Sequence, residues 1–462
     1  MSASSYRGGI ADAIAKGWRF AGLHATSDGS LVRTLLVDPA GATRLETVAV
    51  EGGAVPSIVD LVPAAGWDER EAHDLQQVAF SGHEPMRPLV DHDLRLDRWT
   101  VPVRGHDAFQ VAVGPIHAGI IESGHFRIHV VGERILHLDA RLFYKHRGLE
   151  RAAEGHLLDE GLAYAARACA ACAVANSVAY AHACEDALGL TPDPQLARVR
   201  TVLLELERLW SHLNDLAAIC AGVGLAAGNT QFAAFTERAR RLNARLTGHR
   251  FLFGTILVGR SDLTLHRDDV RAANEEVAAL RADAVRGWRE LQFNRSFQDR
   301  LPDIGIVDAA AGARLGAVGP AARAAGLTDD VRSSSPRLAY DGFAAVSPER
   351  CAGDVQARVE QRALELQQTF GVLEQLLDGR IGPAVASLGA ETRQIGVGRV
   401  ESPRGATTCV VERRDDRLER LRLRTGSYAN WPVVAHAAAD NLLPDFPLIN
   451  KSFELCYACA DR

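Results

Sequence analysis

Two Cys-x-x-Cys pairs set the strongest constraint on how this chain can fold. Cys169 and Cys172 lie in the alanine-rich stretch RACAACAVANS, residues 167–177, and Cys456 and Cys459 lie in the last seven residues, CYACADR. More than half the chain separates the two pairs, whereas a zinc ribbon brings its pairs together within a short segment. Chain ends fray unless something ties them down, and a metal bound by both pairs would do that at the centre of a helical domain. Four thiolates favour soft or borderline metals such as zinc, iron or nickel. Spacing alone leaves a second reading open, in which all four cysteines are small buried hydrophobes. Cys184, Cys220, Cys351 and Cys409 are unpaired in the sequence and read as structural.

The compartment bears on that choice. The first twenty residues lack a long apolar core and do not read as a secretory signal. The most apolar stretch, Ala165 to Cys184, contains Arg167, Asn176 and His182 and is a poor membrane span. The expectation is a cytoplasmic protein, whose reduced thiols favour a metal over a disulfide. A net charge of −6 with no long basic run argues against nucleic acid as a partner.

The pattern along the chain predicts an α+β fold, with a small N-terminal α/β domain over 1–100 and a large, mainly α-helical domain with peripheral β-hairpins over 101–462. SLVRTLLVD and TRLETVAV alternate as strands, with Gly29 and PAGA (39–42) supplying turns. A helix is expected over 68–80. FRIHVVGERILHLDARLFY, 126–144, reads as two strands around a Gly-Glu turn. Apolar residues at helical spacing, such as Leu203, Leu206, Leu209 and Leu213, predict helices over about 150–188, 193–225, 230–258, 268–294 and 354–379. Residues 301–350 read as loop-rich, and TTCVVERRDDRLERLRLRTGS as a hairpin.

Six ordered motifs then carry a resemblance. GPIHAGIIESGHFRIHVVGE, LFYKHRGLERAAE, LLELERLWSHLNDL, ESPRG, GSYANWP and PLINKSFELCYACADR resemble, in order, the motifs of the large subunit of nickel–iron hydrogenases. The match is best with the membrane-associated, energy-converting branch typified by formate hydrogenlyase, which is related to the 49-kDa subunit of complex I. Residues 67–89, WDEREAHDLQQVAFSGHEPMRPL, resemble the signature of the complex I 30-kDa subunit, which is fused in front of this branch. Complex I counterparts lack the cysteines, so their retention points to the hydrogenase side.

The resemblance implies a nickel–iron centre whose iron carries cyanide and carbonyl ligands, with Cys169 and Cys456 on nickel and Cys172 and Cys459 bridging the metals. It implies reversible H2 oxidation and proton reduction, with electrons passed to an iron–sulfur small subunit. It also implies attachment to the inner face of the cell membrane through membrane-arm subunits of a complex I-like assembly. Glu122 matches the proton-relay acid, which needs a pKa raised toward neutrality. Arg404 matches the arginine over the open coordination position, and its high pKa makes it a fixed charge rather than a base. Glu150 matches a carboxylate near a magnesium or iron ion at a second position. His146, Arg147, Arg167, Arg208 and His212 match framework positions. Three departures stand out: Ala170 replaces a glycine, Asn176 a histidine, and Glu454-Leu455 an Asp-Pro. The alternatives are a non-hydrogenase scaffold or electron-transfer subunit of a complex I-like assembly, and a structural zinc protein.

Overall fold

The computed structural model describes residues 3–90, 92, 101–103, 105, 107–116, 122–335 and 337–462. The fold is α+β. Near the N-terminus, Arg19–Ala25, Leu31–Val37 and Thr43–Ala49 form an antiparallel sheet with Leu31–Val37 at its centre. Helix Ala3–Ala15 buries Tyr6, Ile10 and Ala13 against it, one face of a helical repeat. The Tyr6 hydroxyl meets Thr34 Oγ1 at 2.6 Å, which satisfies its polar tip. The two strands expected here are present. The strand Arg19–Ala25 was not anticipated, because a register shift between Phe20 and Gly22 breaks its alternation.

The helix expected over 68–80 is Gly66–Gln76. It stops at Gln77, which turns left-handed, and Ala79–Ser81 then pairs in parallel with Ala54–Pro56. The apolar side chains from Tyr6 to Phe80 form a cluster of their own. The boundary expected near residue 100 falls next to residues 93–100, which lie outside the described residues, as does His117 of the Gly-Pro-x-His segment.

A second, larger apolar cluster extends from Leu89 to Ala460. At its heart lie helices Ala173–Leu188 and Pro194–Gly222, with Ala226–Thr247, Arg267–Gln292 and Val355–Leu376 packed around them. The helix expected over 230–258 stops at Gly248, whose φ of 80° ends it. The region expected to be loop-rich holds two short helices, Ala309–Leu315 and Gly319–Ala324. Among the described residues no single helix is long and apolar enough to cross a membrane. One pair bent by 119°, Leu158–Ala166 and Ala170–Leu188, passes by composition, and its second member is the buried core helix.

Both expected hairpins are widened by a third strand. His125–Val131 pairs with Arg134–Arg141 and Ala108–Val113, and Gly405–Arg414 pairs with Arg417–Arg424 and Ile395–Ser402. The strand Ile395–Ser402 carries little signature in the sequence, because Gly396 and Gly398 weaken its β character. Their role is steric. A Cβ on Gly396 would lie 2.0 Å from the Ala183 carbonyl oxygen, and one on Gly398 1.9 Å from that of Ala179. Opposite them, Ala175, Ala179, Ala183 and Ala187 recur every four residues along one buried helix face. The alanine run therefore lets a helix lie flush on a strand.

The single helix expected over 150–188 is three, Leu149–Ala153, Leu158–Ala166 and Ala173–Leu188. Helix propensity favoured continuity, but tertiary contacts override it. Arg147 donates to the carbonyls of Arg167 at 2.8 Å and Ala168 at 2.7 Å, just where the second helix stops.

Gly398→Ala should drive a methyl into the helix backbone and cost about 1–3 kcal/mol or more, seen as a lower midpoint in denaturant. Gly371→Ala, on an open helical face, should leave the midpoint unchanged or raise it.

Candidate metal centre

The break before helix Ala173–Leu188 carries the first cysteine pair. Cys169 is extended (φ −159°, ψ 139°) and its sulfur accepts the Ala171 N–H at 3.3 Å. Cys172 immediately precedes the helix, at the positive end of its dipole. The second pair follows helix Phe446–Phe453, which ends in a left-handed turn at Glu454. The Cys456 N–H donates to Ser427 Oγ at 3.1 Å, and the Cys459 carbonyl accepts from Thr425 Oγ1 at 3.1 Å. Thr425 also caps helix Gly426–Ala438 by accepting the Tyr428 N–H.

These supports bring all four sulfurs within 4.8 Å of one another. None is in a disulfide, three are buried, and Cys456 is half-buried. Among the described residues no other group of three or more His, Cys, Asp or Glu side chains converges in this way. Without a cation the sulfurs compete for protons. Hydrogen bonds from Cys169, Cys172 and Cys459 hold Cys456 well below the ordinary thiol range. Hydrogen bonding with neighbouring sulfurs, Cys169 first, pushes Cys172 and Cys459 well above it. A soft divalent cation would end that conflict by binding all four as thiolates.

Arg404 lies beside this pocket, buried. Its Nη1 donates to Asp215 Oδ2 at 2.9 Å and its Nη2 lies 2.9 Å from Oδ1, while Nη1 also reaches Ser211 Oγ at 3.3 Å. Burial works against its charge, but Asp215, then Cys456 and Cys172, hold its pKa above the ordinary arginine value. Asp215 is fixed in turn by Arg362 Nε at 3.1 Å and His212 Nδ1 at 3.3 Å.

Glu122 approaches from the hairpin side. Its Oε2 accepts the N–H of Ala458, between the two C-terminal cysteines, at 2.6 Å. Much of the residue is exposed, yet its carboxyl is tucked against the Tyr457–Ala458 backbone. That desolvation, with the nearby Cys456 sulfur, pushes its pKa up to about 7.

Glu150 departs from expectation. The resemblance places a magnesium or iron ion beside it, but guanidinium groups stand there instead. Arg462 Nε lies 3.1 Å from its carboxylate, Arg422 3.7 Å and Arg420 3.8 Å, and it accepts the Leu423 N–H at 2.8 Å. Its carboxylate oxygens are thus engaged within an ion-pair network that also includes Glu71, Asp68 and Glu154.

Sequence reasoning missed Asp215 and Glu207. Glu207 is buried, and its two oxygens accept the N–H groups of Val174 at 2.6 Å and Ala175 at 3.0 Å, which caps the cysteine-bearing helix from outside. Burial pushes its pKa up to about 8. The signal was an acid at a core-facing position of an apolar helix. Asn176 is fully buried, and among the described residues neither amide atom has a hydrogen-bond partner.

Comparison with known proteins places these features. The family described as respiratory-chain NADH dehydrogenase, 49 Kd subunit, matches residues 225–388, and the 30 Kd subunit family matches residues 28–106. Hydrogenase-4 component G of Escherichia coli (strain K12) is 32% identical over 435 residues, 88% of this chain and 76% of that protein. Formate hydrogenlyase subunit 5 of the same organism is 31% identical over 449 residues, 90% of this chain and 79% of that protein. A solved archaeal respiratory membrane complex, the membrane-bound sulfane sulfur reductase, contains a similar chain. Its TM-score is 0.70 at 26% identity, covering 77% of this chain and 99% of that one.

Glu207→Ala should orphan two buried N–H groups and cost about 1–3 kcal/mol, measured by denaturant unfolding. A raised carboxyl pKa contributes stability that is present below the unfolded value and lost as pH rises. Relative to Glu207→Gln, which cannot ionise, the unsubstituted protein should therefore lose stability between pH 4.5 and about 8.

Proposed function

This chain belongs to the family of hydrogenase-4 component G and formate hydrogenlyase subunit 5, the nickel–iron-type hydrogenase subunits related to complex I, and on that premise we propose that it is the H2-activating subunit of a membrane-associated complex. The observation that carries the reading is the convergence of Cys169, Cys172, Cys456 and Cys459 within 4.8 Å. Their soft, mostly buried donor set fits a nickel–iron centre, which Cys169, Cys172, Cys456 and Cys459 would hold. When bound, that centre supplies heterolytic cleavage of H2 and its reverse.

The chain's own residues do the rest. Ser427, Thr425 and Glu207 fix the backbone at the cysteines. Asp215 aims the Arg404 guanidinium, which places permanent positive charge beside a crowded set of sulfurs. Glu122, hydrogen-bonded between the C-terminal cysteines and poised near neutrality, accepts and releases the proton. Electrons leave to an iron–sulfur small subunit, because the eight cysteines include no further cluster for an iron–sulfur centre of its own. Residues 1–100 form the 30-kDa-subunit-like domain and 101–462 the large-subunit domain. The assembly holds the chain on the cytoplasmic face of the membrane through membrane-arm partners.

One observation favours a second reading. Asn176, whose amide has no hydrogen-bond partner among the described residues, and the Glu454-Leu455 pair change the surroundings of the cysteines, and a chain of similar fold belongs to a solved complex described as a sulfane sulfur reductase. In that reading the chain is an electron-transfer subunit of a complex I-like assembly without H2 chemistry.

Protein matured with its own accessory factors should contain nickel and iron and reduce a dye in the presence of H2. Nickel-free protein would favour the second reading, and zinc alone would make the centre structural. Glu122→Gln should keep the metals but slow dye reduction by about 10²–10⁴-fold, the scale of a positioned proton-transfer group. An unchanged rate in this variant would remove Glu122 from the mechanism.

A further inference from the structure

Beyond Cys459 the chain leads to a buried guanidinium that the N-terminal segment holds. Arg462 is 3% exposed. Its Nη2 pairs with Glu71 Oε1, its Nε lies 3.1 Å from Glu150, and its guanidinium sits 4.6 Å from the centre of the Tyr428 ring. Its backbone is tied as firmly. Its N–H donates to Ala458 O at 3.1 Å, and its carbonyl accepts the Arg147 N–H at 3.0 Å. Ala458 lies between Cys456 and Cys459. Arg147 in turn holds the carbonyls of Arg167 and Ala168, next to Cys169. Arg462 is therefore a joint between the two cysteine segments.

The charge that balances this joint comes from another part of the molecule. Glu71 lies on helix Gly66–Gln76, packed with the N-terminal sheet and remote in sequence from either cysteine pair. It pairs with both Arg462 and Arg422. Asp68 of the same helix pairs with Arg422 at 3.0 Å and Arg424 at 3.2 Å. Removal of Glu71 would leave Arg422 its bond to Asp68, but would leave Arg462 with Glu150 alone, a carboxylate that Arg422 also approaches at 3.7 Å. An uncompensated buried charge is strongly unfavourable. Arg462 relieves it most simply by swinging out, and the turn Ala458–Asp461 goes with it.

We propose that Glu71 is a positioning residue for the cysteine centre: the N-terminal segment clamps Arg462 and so fixes Cys456 and Cys459 opposite Cys169 and Cys172. The function of the clamp rests on the metal-centre reading, but its mechanics do not, so it is tested first on metal-free protein.

The experiment alkylates full-length, metal-free protein with iodoacetamide and follows each cysteine by peptide mass spectrometry. Glu71→Gln should raise the rates at Cys456 and Cys459 by about tenfold or more, as loss of a hydrogen bond to a charged group implies. Buried Cys184 and Cys220 should stay protected. Arg462→Gln should reproduce that selective exposure, and the double variant should add little, since the two act through one contact. Arg33→Met is the control for general loosening. It breaks a different bridge from the N-terminal sheet, in which Arg33 Nε and Nη2 each lie 2.8 Å from Glu412, without touching Arg462. Unchanged rates in Glu71→Gln would overturn the proposal. So would an equal rise at Cys184 and Cys220, or the same selective rise in Arg33→Met. In metal-loaded protein, Glu71→Gln should also shift the spectroscopic signature of the centre, whereas Arg33→Met should not. A parent protein that binds no nickel or iron would sink the metal-centre reading and leave the alkylation result standing.

Discussion

Four sulfurs within 4.8 Å of one another, three of them buried, are an electrostatic problem that the rest of the structure is arranged around. As thiolates they repel, and in a low dielectric that repulsion is far larger than in water. A cation resolves most of it. The protein supplies fixed positive potential as well: the start of helix Ala173–Leu188 at Cys172 and the Arg404 guanidinium close by. The backbone must also be immobile at four points, which accounts for the hydroxyls of Ser427 and Thr425 at one pair and the carboxyl of Glu207 at the other.

Fixing one charge creates a need for the next. Arg404 requires Asp215, which is shared with Arg362 and His212, and His212 Nε2 reaches Glu365 at 3.2 Å. Glu365 meets Arg323, which also pairs with Glu401 at 2.9 Å and Asp330 at 3.1 Å. Buried pairs of this kind add little net stability against an apolar core, but each is costly to break. What they contribute is position: each group has one arrangement in which every charge is met. A second network does the same where Glu71, Glu150 and Asp68 meet Arg422, Arg424 and Arg462. Function follows from that rigidity, because a proton acceptor such as Glu122 is useful only if it stays within reach of the atoms it serves.

Much was legible in the residues. The paired cysteines, the alternation in Leu31–Val37 and Thr43–Ala49, the hairpin at 126–144 and the apolar stripe of the long helix each carry a local signature that a reader of the chain can follow. Less legible were elements whose formation is paid by distant partners. Ile395–Ser402 is a strand because a helix of alanines accepts its glycines, and neither segment announces the other. The break at Cys169 interrupts a run that propensity would keep helical, since the guanidinium of Arg147 captures the last carbonyls before it.

The sequence by itself determined the chemistry available to this protein: which side chains are soft ligands, which acids and arginines stand in recognisable motifs, and that the chain is of the nickel–iron hydrogenase type. Those properties belong to covalent structure and to short-range order along the chain. Only the tertiary structure decided that four cysteines more than half a chain apart share one pocket, that Asp215 aims Arg404, and that Glu150 faces arginines. It also decided that an acid of the N-terminal segment reaches the turn beyond Cys459. The reason is physical. A carboxylate carries the same formula wherever it lies, but its charge state and role depend on what is buried beside it, and neighbours in space are not neighbours in sequence.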